Sequence, residues 1–202
     1  MSPSEICGTD VHALKVRLAG ILCEKSYMEG DFTLSSGRKS EYYFDCRQTS
    51  LHPEGAWLIG SIFVYMLRGV DVQAVAGMTM GADPLVTATS MVARGEGMYL
   101  PALIVRKEPK GHGAGRTVEG LANVPRGSGV VMLEDVVSTG GSVLKACRQV
   151  EAAGLRVLSV MCILNRREPG CAEAFAGEGR HLQAMYTRED LLSLAGGAGS
   201  PA

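Results

Sequence analysis

What this chain most lacks is net charge: twenty Lys and Arg against twenty-one Asp and Glu leave −1 at neutral pH. That balance gives no basic footprint for nucleic acid and no attraction to an acidic membrane surface. No apolar run approaches the ~20 residues needed to cross a bilayer. Met1-Ser2-Pro3-Ser4-Glu5 has neither the basic start nor the apolar core of a signal peptide. There is no internal repeat, and no G-x-G-x-x-G follows an early strand, which argues against a Rossmann-type nucleotide binder. The six cysteines (Cys7, Cys23, Cys46, Cys147, Cys162 and Cys171) form no C-x-x-C and lie mostly in apolar stretches. They read as small buried hydrophobes of a reducing compartment, not as disulfides or metal ligands. The expectation is a cytoplasmic globular protein of one domain. Its 202 residues can bury a real core, and 46% hydrophobic with 20% charged residues is ordinary for an α/β protein.

What is there is organised around Val130-Val131-Met132-Leu133-Glu134-Asp135-Val136-Val137-Ser138-Thr139-Gly140-Gly141-Ser142. The first four residues read as a strand buried on both faces. Two carboxylates and a loop of small residues follow. Then Val143, Cys147 and Val150, beside Leu144 and Ala146, take up helical spacing. A helix N-terminus presents backbone N–H groups and the positive end of its dipole, so an anion is the natural ligand of the loop. The two carboxylates cannot serve that anion. They suit hydroxyl groups or a metal ion attached to it, and the implied ligand is a sugar phosphate.

Val11, Leu14, Leu18, Ile21 and Leu22 make the stripe of a first helix, with Thr9 or Asp10 as its cap. Phe32-Thr33-Leu34, a turn at Ser35-Ser36-Gly37, and the row Tyr42-Tyr43-Phe44 within Glu41–Arg47 read as strands and a turn. Three adjacent aromatics suit either core packing or stacking on a planar ligand. Glu54–Leu67 is apolar all round, as a buried helix is. Val72–Ala76 is a strand that ends in the loop Gly77-Met78-Thr79-Met80-Gly81-Ala82-Asp83-Pro84, with a helix beyond it to about Ala93. Leu100–Val105 is another strand. It runs into Arg106-Lys107-Glu108-Pro109-Lys110-Gly111-His112-Gly113-Ala114-Gly115-Arg116, whose basic side chains, Pro109 and glycines predict a mobile cationic loop. Arg156–Leu164, then Asn165-Arg166-Arg167, and Leu182–Tyr186 complete the strands, and Arg188–Leu194 closes with a helix. Residues 195–202 read as a loose tail. Strands alternating with helices from residue 72 onward predict a parallel sheet of about five strands with helices on both faces. Ligands of such sheets bind beyond the carboxyl ends of the strands, near the topological switch point. The polar segments singled out above all lie at that end.

Glu134-Asp135-Val136-Val137-Ser138-Thr139-Gly140-Gly141-Ser142 resembles the phosphoribosyl-pyrophosphate signature of type I phosphoribosyltransferases. Phe32 to Ser40, with Tyr43-Phe44-Asp45, is similar to the N-terminal segment of the orotate phosphoribosyltransferases. So is Arg106-Lys107-Glu108 leading to Lys110-Gly111-His112-Gly113 and Val118-Glu119-Gly120. The resemblance covers roughly residues 11 to 190. It implies a type I phosphoribosyltransferase fold whose residues 11–50 contribute to a small hood. The implied reaction forms orotidine 5′-monophosphate and diphosphate from orotate and phosphoribosyl pyrophosphate with Mg²⁺, in pyrimidine biosynthesis.

On that resemblance Glu134 and Asp135 would accept hydrogen bonds from the ribose hydroxyls, one of them through Mg²⁺-bound water. Val137, Ser138, Thr139, Gly140, Gly141 and Ser142 would cradle the 5-phosphate, Val136 would also lie at the phosphoribosyl pyrophosphate, and residues 77–82 would face the diphosphate. Arg106, Lys107, Lys110 and His112 would serve the leaving diphosphate, with Lys110, His112 and Asp135 the catalytic set. Arg166 and Ser138 would take the orotate carboxylate, with Tyr43 and Phe44 packed near the ring. The basic loop would reach a neighbouring site in a homodimer. Two positions depart from the pattern: Ser35 and Gly81 stand where many relatives have lysine, so Lys39 or Arg38 would have to replace those cations. The alternatives are a transferase for another base, such as a purine, and a non-catalytic sensor of phosphoribosyl pyrophosphate. A purine has no carboxylate for Arg166, and a sensor could lose the basic loop.

Overall fold

In the computed structural model, residues 10–33, 39–108 and 117–197 are described. Helix α1 (Val11–Lys25) starts at Asp10, whose carboxylate accepts from the His12 N–H at 2.9 Å, and it buries Leu14, Leu18, Ala19, Ile21 and Leu22. Strands β1 (Tyr27–Thr33) and β2 (Lys39–Phe44) form a separate antiparallel pair, with Tyr27 opposite Phe44 and Thr33 opposite Lys39. A one-turn helix α2 (Arg47–Ser50) and helix α3 (Pro53–Met66) follow. Gly60 is where α3 crosses α4 (Asp83–Gly95): a Cβ there would stand 2.8 Å from the Ala88 carbonyl oxygen.

The rest of the chain alternates as β3 (Ala74–Met78), α4, β4 (Ala102–Val105), β5 (Val118–Glu119), β6 (Gly129–Val137), α5 (Gly141–Ala152), β7 (Arg156–Asn165), α6 (Cys171–Gly177), β8 (Leu182–Thr187) and α7 (Arg188–Gly197). The six-stranded sheet runs β5-β4-β3-β6-β7-β8, with β5 antiparallel to β4 and the other five strands parallel. The chain moves outward from β3 to β4 and then returns to place β6 on β3's other side. The switch point therefore lies between β3 and β6, and the loops that follow these two strands face each other across it.

Alternation along the strands divides the interior. Val75, Val131, Leu133, Met161 and Ile163 pack with α1, α3, α4 and α7, whereas Ala76, Val130, Met132, Val160 and Cys162 pack with α5 and α6. Each fully buried Val, Leu or Ile contributes about 1.5–3 kcal/mol, which is why a sheet with two apolar faces needs helices on both. At the far edge the Tyr186 hydroxyl donates to the Lys15 carbonyl at 2.8 Å, tying β8 to α1. Cys46, Cys147, Cys162 and Cys171 are buried, and burial pushes the Cys147 thiol up to about 11. Among the described residues no helix is long and apolar enough to cross a membrane.

The parallel strands number the expected five. Their limits shift by up to two residues, as with β3 at Ala74–Met78 instead of Val72–Ala76, except that β6 runs four residues past Leu133 to Val137 and takes in the acidic pair. Strand β5 and helices α2 and α6 carry too few residues for a periodic signal, and the sequence did not announce them.

Candidate active site

A cleft of ≈ 750 Å³ opens over the carboxyl ends of β3 and β6. Its floor is the acidic pair at the end of β6. Glu134 is 9% exposed, and burial, then the neighbouring Asp135 carboxylate, raises its pKa well above the usual carboxylate range. The Asp135 N–H donates to Glu134 Oε1 at 3.2 Å, and the Val136 N–H donates to Asp135 Oδ1 at 2.8 Å. Both carboxylates are thereby held before any ligand arrives.

One wall is the turn from β6 into α5. Gly140 takes φ 85°, and a Cβ on it would meet the Phe175 ring at 2.6 Å, so glycine is required there twice over. Among the described residues no side chain caps α5. The amide N–H groups of its first turn therefore face the cleft beside Ser138, Thr139 and Ser142, as an anion site requires. The opposite wall is the loop after β3. A Cβ at Gly77 would overlap Ala82 Cβ at 2.4 Å, so the chain folds tightly back there. At Gly81 a Cβ would lie 2.7 Å from Asp135 Oδ2. The bare backbone of Gly81 therefore leaves room for the carboxylate across the switch point.

The roof comes from the β1–β2 pair. Tyr43 and Phe44 both line the cleft, with Phe44 buried and Tyr43 about one-third exposed. Arg166, just past β7, lines it as well. Its Nε donates to the Tyr42 hydroxyl at 2.9 Å and its Nη2 to Ser40 Oγ at 3.1 Å, while its backbone N–H bonds the Val137 carbonyl. The fold thus brings Tyr43, Phe44, Lys107, Glu134, Asp135, residues 136–142 and Arg166 to one cavity.

Arg106 is not among the lining residues. Its Nε pairs with Glu119 at 2.7 Å across the β4–β5 edge, so its cation is already engaged in this conformation. Lys110, His112 and the rest of 109–116 lie outside the described residues, as do Ser35 and Arg38. Lys39 donates to Thr33 Oγ1 at 3.1 Å and is not part of the cleft, so it does not stand in for the missing lysines in this conformation.

A cation that the sequence did not single out does line the cleft. Arg47 opens α2, and Asp45 holds it in a two-point pair at 2.7 and 3.0 Å. The Arg47 hydrogen bond keeps the Asp45 carboxyl below its usual range. D-x-R just after an aromatic strand was the available signal. Asp83, Glu168 and Thr79 also stand at or beside the site, with Thr79 Oγ1 donating to Asp83 Oδ2 at 2.8 Å. No group of three or more His, Cys, Asp or Glu among the described residues could enclose a metal ion.

No protein-family model matches the chain. An orotate phosphoribosyltransferase of Nostoc sp. is 48% identical over 182 residues, which is 90% of this chain and 87% of that protein. Among solved structures, orotate phosphoribosyltransferase of Mycobacterium tuberculosis H37Rv in complex with Fe(III) dicitrate superposes with a TM-score of 0.75 at 34% identity, covering 88% of this chain and 98% of the other. The same enzyme in complex with 5-phospho-α-D-ribosyl 1-diphosphate gives 0.72 at 32% identity, with the same coverage.

Proposed function

The chain belongs to the orotate phosphoribosyltransferase family, and we propose that it transfers the 5-phosphoribosyl group of phosphoribosyl pyrophosphate to orotate in pyrimidine (UMP) biosynthesis. The products are orotidine 5′-monophosphate and diphosphate. One observation carries the reading: an acidic pair, an uncapped helix N-terminus and an arginine fork open onto a single cleft at the switch point of the sheet.

The amides at the start of α5, with the Ser138, Thr139 and Ser142 hydroxyls, donate to the 5-phosphate. Glu134 and Asp135 accept from the ribose hydroxyls. The backbone around Gly81, together with Lys107 and Arg47, faces the diphosphate. Arg166 presents a planar fork that suits the orotate carboxylate, with Ser138 beside it and Tyr43 and Phe44 against the ring. The base nitrogen attacks C1 as the C1–oxygen bond breaks, and diphosphate leaves with the electron pair. Orotate is already anionic, so no strong general base is needed. The protein's share is positioning and stabilisation of charge on the leaving group.

For Mg²⁺, the donor set fits an ion that arrives on the diphosphate and touches protein through Asp135, because the described residues contain no protein cage. When bound it supplies Lewis-acid charge to the leaving group. On the family resemblance, Lys110 and His112 add cationic donors there. We place the part of the loop 106–116 beyond Lys107 in a neighbouring site of a homodimer, and the protein in the cytoplasm. A dimer is supported by large apolar side chains left in solvent on and after α3 and α4, namely Tyr65, Met91 and Tyr99. The β1–β2 pair acts as the hood of the single domain.

The test is ultraviolet assay of orotate consumption with phosphoribosyl pyrophosphate and Mg²⁺, run beside adenine and hypoxanthine. Orotate alone should be consumed. Consumption of a purine in place of orotate would overturn the assignment.

A further inference from the structure

We propose that Tyr42 is a positioning residue for the base: with Ser40 it occupies one edge of the Arg166 guanidinium and leaves the opposite edge to the carboxylate. The inference rests on the reading of Arg166 given above and goes one step behind it.

A guanidinium offers five N–H donors in a fixed fork, and a carboxylate can dock along the Nε–Nη2 edge or the Nη1–Nη2 edge. Here the first edge is taken. Nε donates to the Tyr42 hydroxyl at 2.9 Å, Nη2 donates to Ser40 Oγ at 3.1 Å, and the guanidinium carbon lies 4.4 Å from the Tyr42 ring centroid. Ser40 is set to accept, because its own proton goes to the Tyr42 carbonyl at 2.7 Å. No partner within the described residues engages Nη1, so the second edge is the one available to the cleft that Arg166 lines.

Tyr42 is itself held from two sides. The Tyr27 ring stacks on it with centroids 5.4 Å apart and planes at 26°. The Arg188 guanidinium lies 4.7 Å from the same Tyr42 ring and donates to the Tyr27 hydroxyl at 3.1 and 2.8 Å. The hairpin, the end of β7 and the start of α7 therefore meet at one phenol ring. An arginine fixed there before the base arrives loses less conformational freedom on binding than a loose one. The sequence pattern of the hairpin agrees: Ser40, Tyr42 and Phe44 form the more buried face of β2, while Lys39, Glu41 and Tyr43 are more exposed.

The experiment is steady-state kinetics on Tyr42→Phe, which keeps the ring and its stacking but removes the acceptor. Arg166→Ala serves as the control. The KM for orotate should rise about tenfold in Tyr42→Phe, while the KM for phosphoribosyl pyrophosphate stays within about twofold, as loss of one charge-assisted hydrogen bond to a ligand-gripping side chain predicts. Thermal unfolding should be unchanged, and the preference for orotate over uracil, which lacks the carboxylate, should fall. If Arg166→Ala raises the orotate KM and Tyr42→Phe does not, the positioning role is wrong while the reading of Arg166 stands. If neither variant moves the orotate KM, the carboxylate reading of Arg166 fails and the role of Tyr42 fails with it.

Discussion

Glu134 carries the residue-scale argument furthest. A carboxylate whose pKa rises on folding binds its proton more tightly in the native state than in the unfolded chain. Stability is then highest below the ordinary glutamate range and declines as pH rises from that range through the raised native pKa. Glu134→Gln should remove that decline, so the variant should melt higher than the parent at neutral pH while turning over poorly, because Gln cannot accept from the ribose hydroxyls as a carboxylate does. Calorimetry across pH, set against the rate of orotate consumption, checks both halves. An equal pH slope in the two proteins would refute the buried, charge-penalised Glu134. Arg47 makes a second case. It is about half exposed at its pair with Asp45, so Arg47→Ala should cost no more than about 1 kcal/mol of stability. The KM for phosphoribosyl pyrophosphate should nonetheless rise several-fold in initial-rate measurements, since charge at the cleft mouth is lost. An unchanged KM would show that Arg47 only closes its own turn. Gly140 allows a third expectation. Alanine there must adopt a positive φ and displace Phe175, so Gly140→Ala should cost about 1–3 kcal/mol in denaturant unfolding, with weaker binding of the phosphoribosyl group.

At the scale of elements, the start of α5 can receive an anion because no side chain among the described residues caps it. Ser142→Asp would place a carboxylate in the first turn. The helix dipole should then stabilise the free protein by about 0.3–1 kcal/mol, while the same charge repels the 5-phosphate. The expected result is a slightly higher Tm without ligand and the loss of the Tm rise that the parent shows with phosphoribosyl pyrophosphate. A ligand-induced rise equal to the parent's would mean that the phosphate sits elsewhere. The same element shows what was legible in advance. Strand and helix announced themselves through the change of apolar period between Leu133 and Val143, and the loop between them followed from its small residues. The hairpin was only half legible. Phe32 to Phe44 read as strands around a turn, yet Tyr27 to Asp31, which is mostly exposed, gave no strand signal although its residues Tyr27 to Glu29 pair with Phe44 to Tyr42. Its reason to be extended is the partner strand.

For the whole molecule, the open question is where the cationic loop acts. If Lys110 serves a neighbouring subunit, Lys110→Ala and Asp135→Ala should each be nearly inactive, and an equal mixture should recover about a quarter of parental activity, because half the dimers are mixed and each of those holds one intact site. No recovery after subunit exchange would place the loop over its own cleft. What the sequence determined alone was the set of elements with a strong period, the five parallel strands, and the stretch 130–142 with its acidic pair and small-residue loop, because each of these is written in contiguous residues. Tertiary structure alone decided which edge of the Arg166 guanidinium is occupied. That depends on Ser40 and Tyr42, 126 and 124 residues away, and on a strand pleat that turns Tyr42 toward the arginine. It also decided that Gly81 makes room for Asp135 and that Arg47 stands in the cleft where Lys39 does not. These are contacts between distant segments, set by the packing of β2, β3, β6 and β7, and no local spacing encodes them.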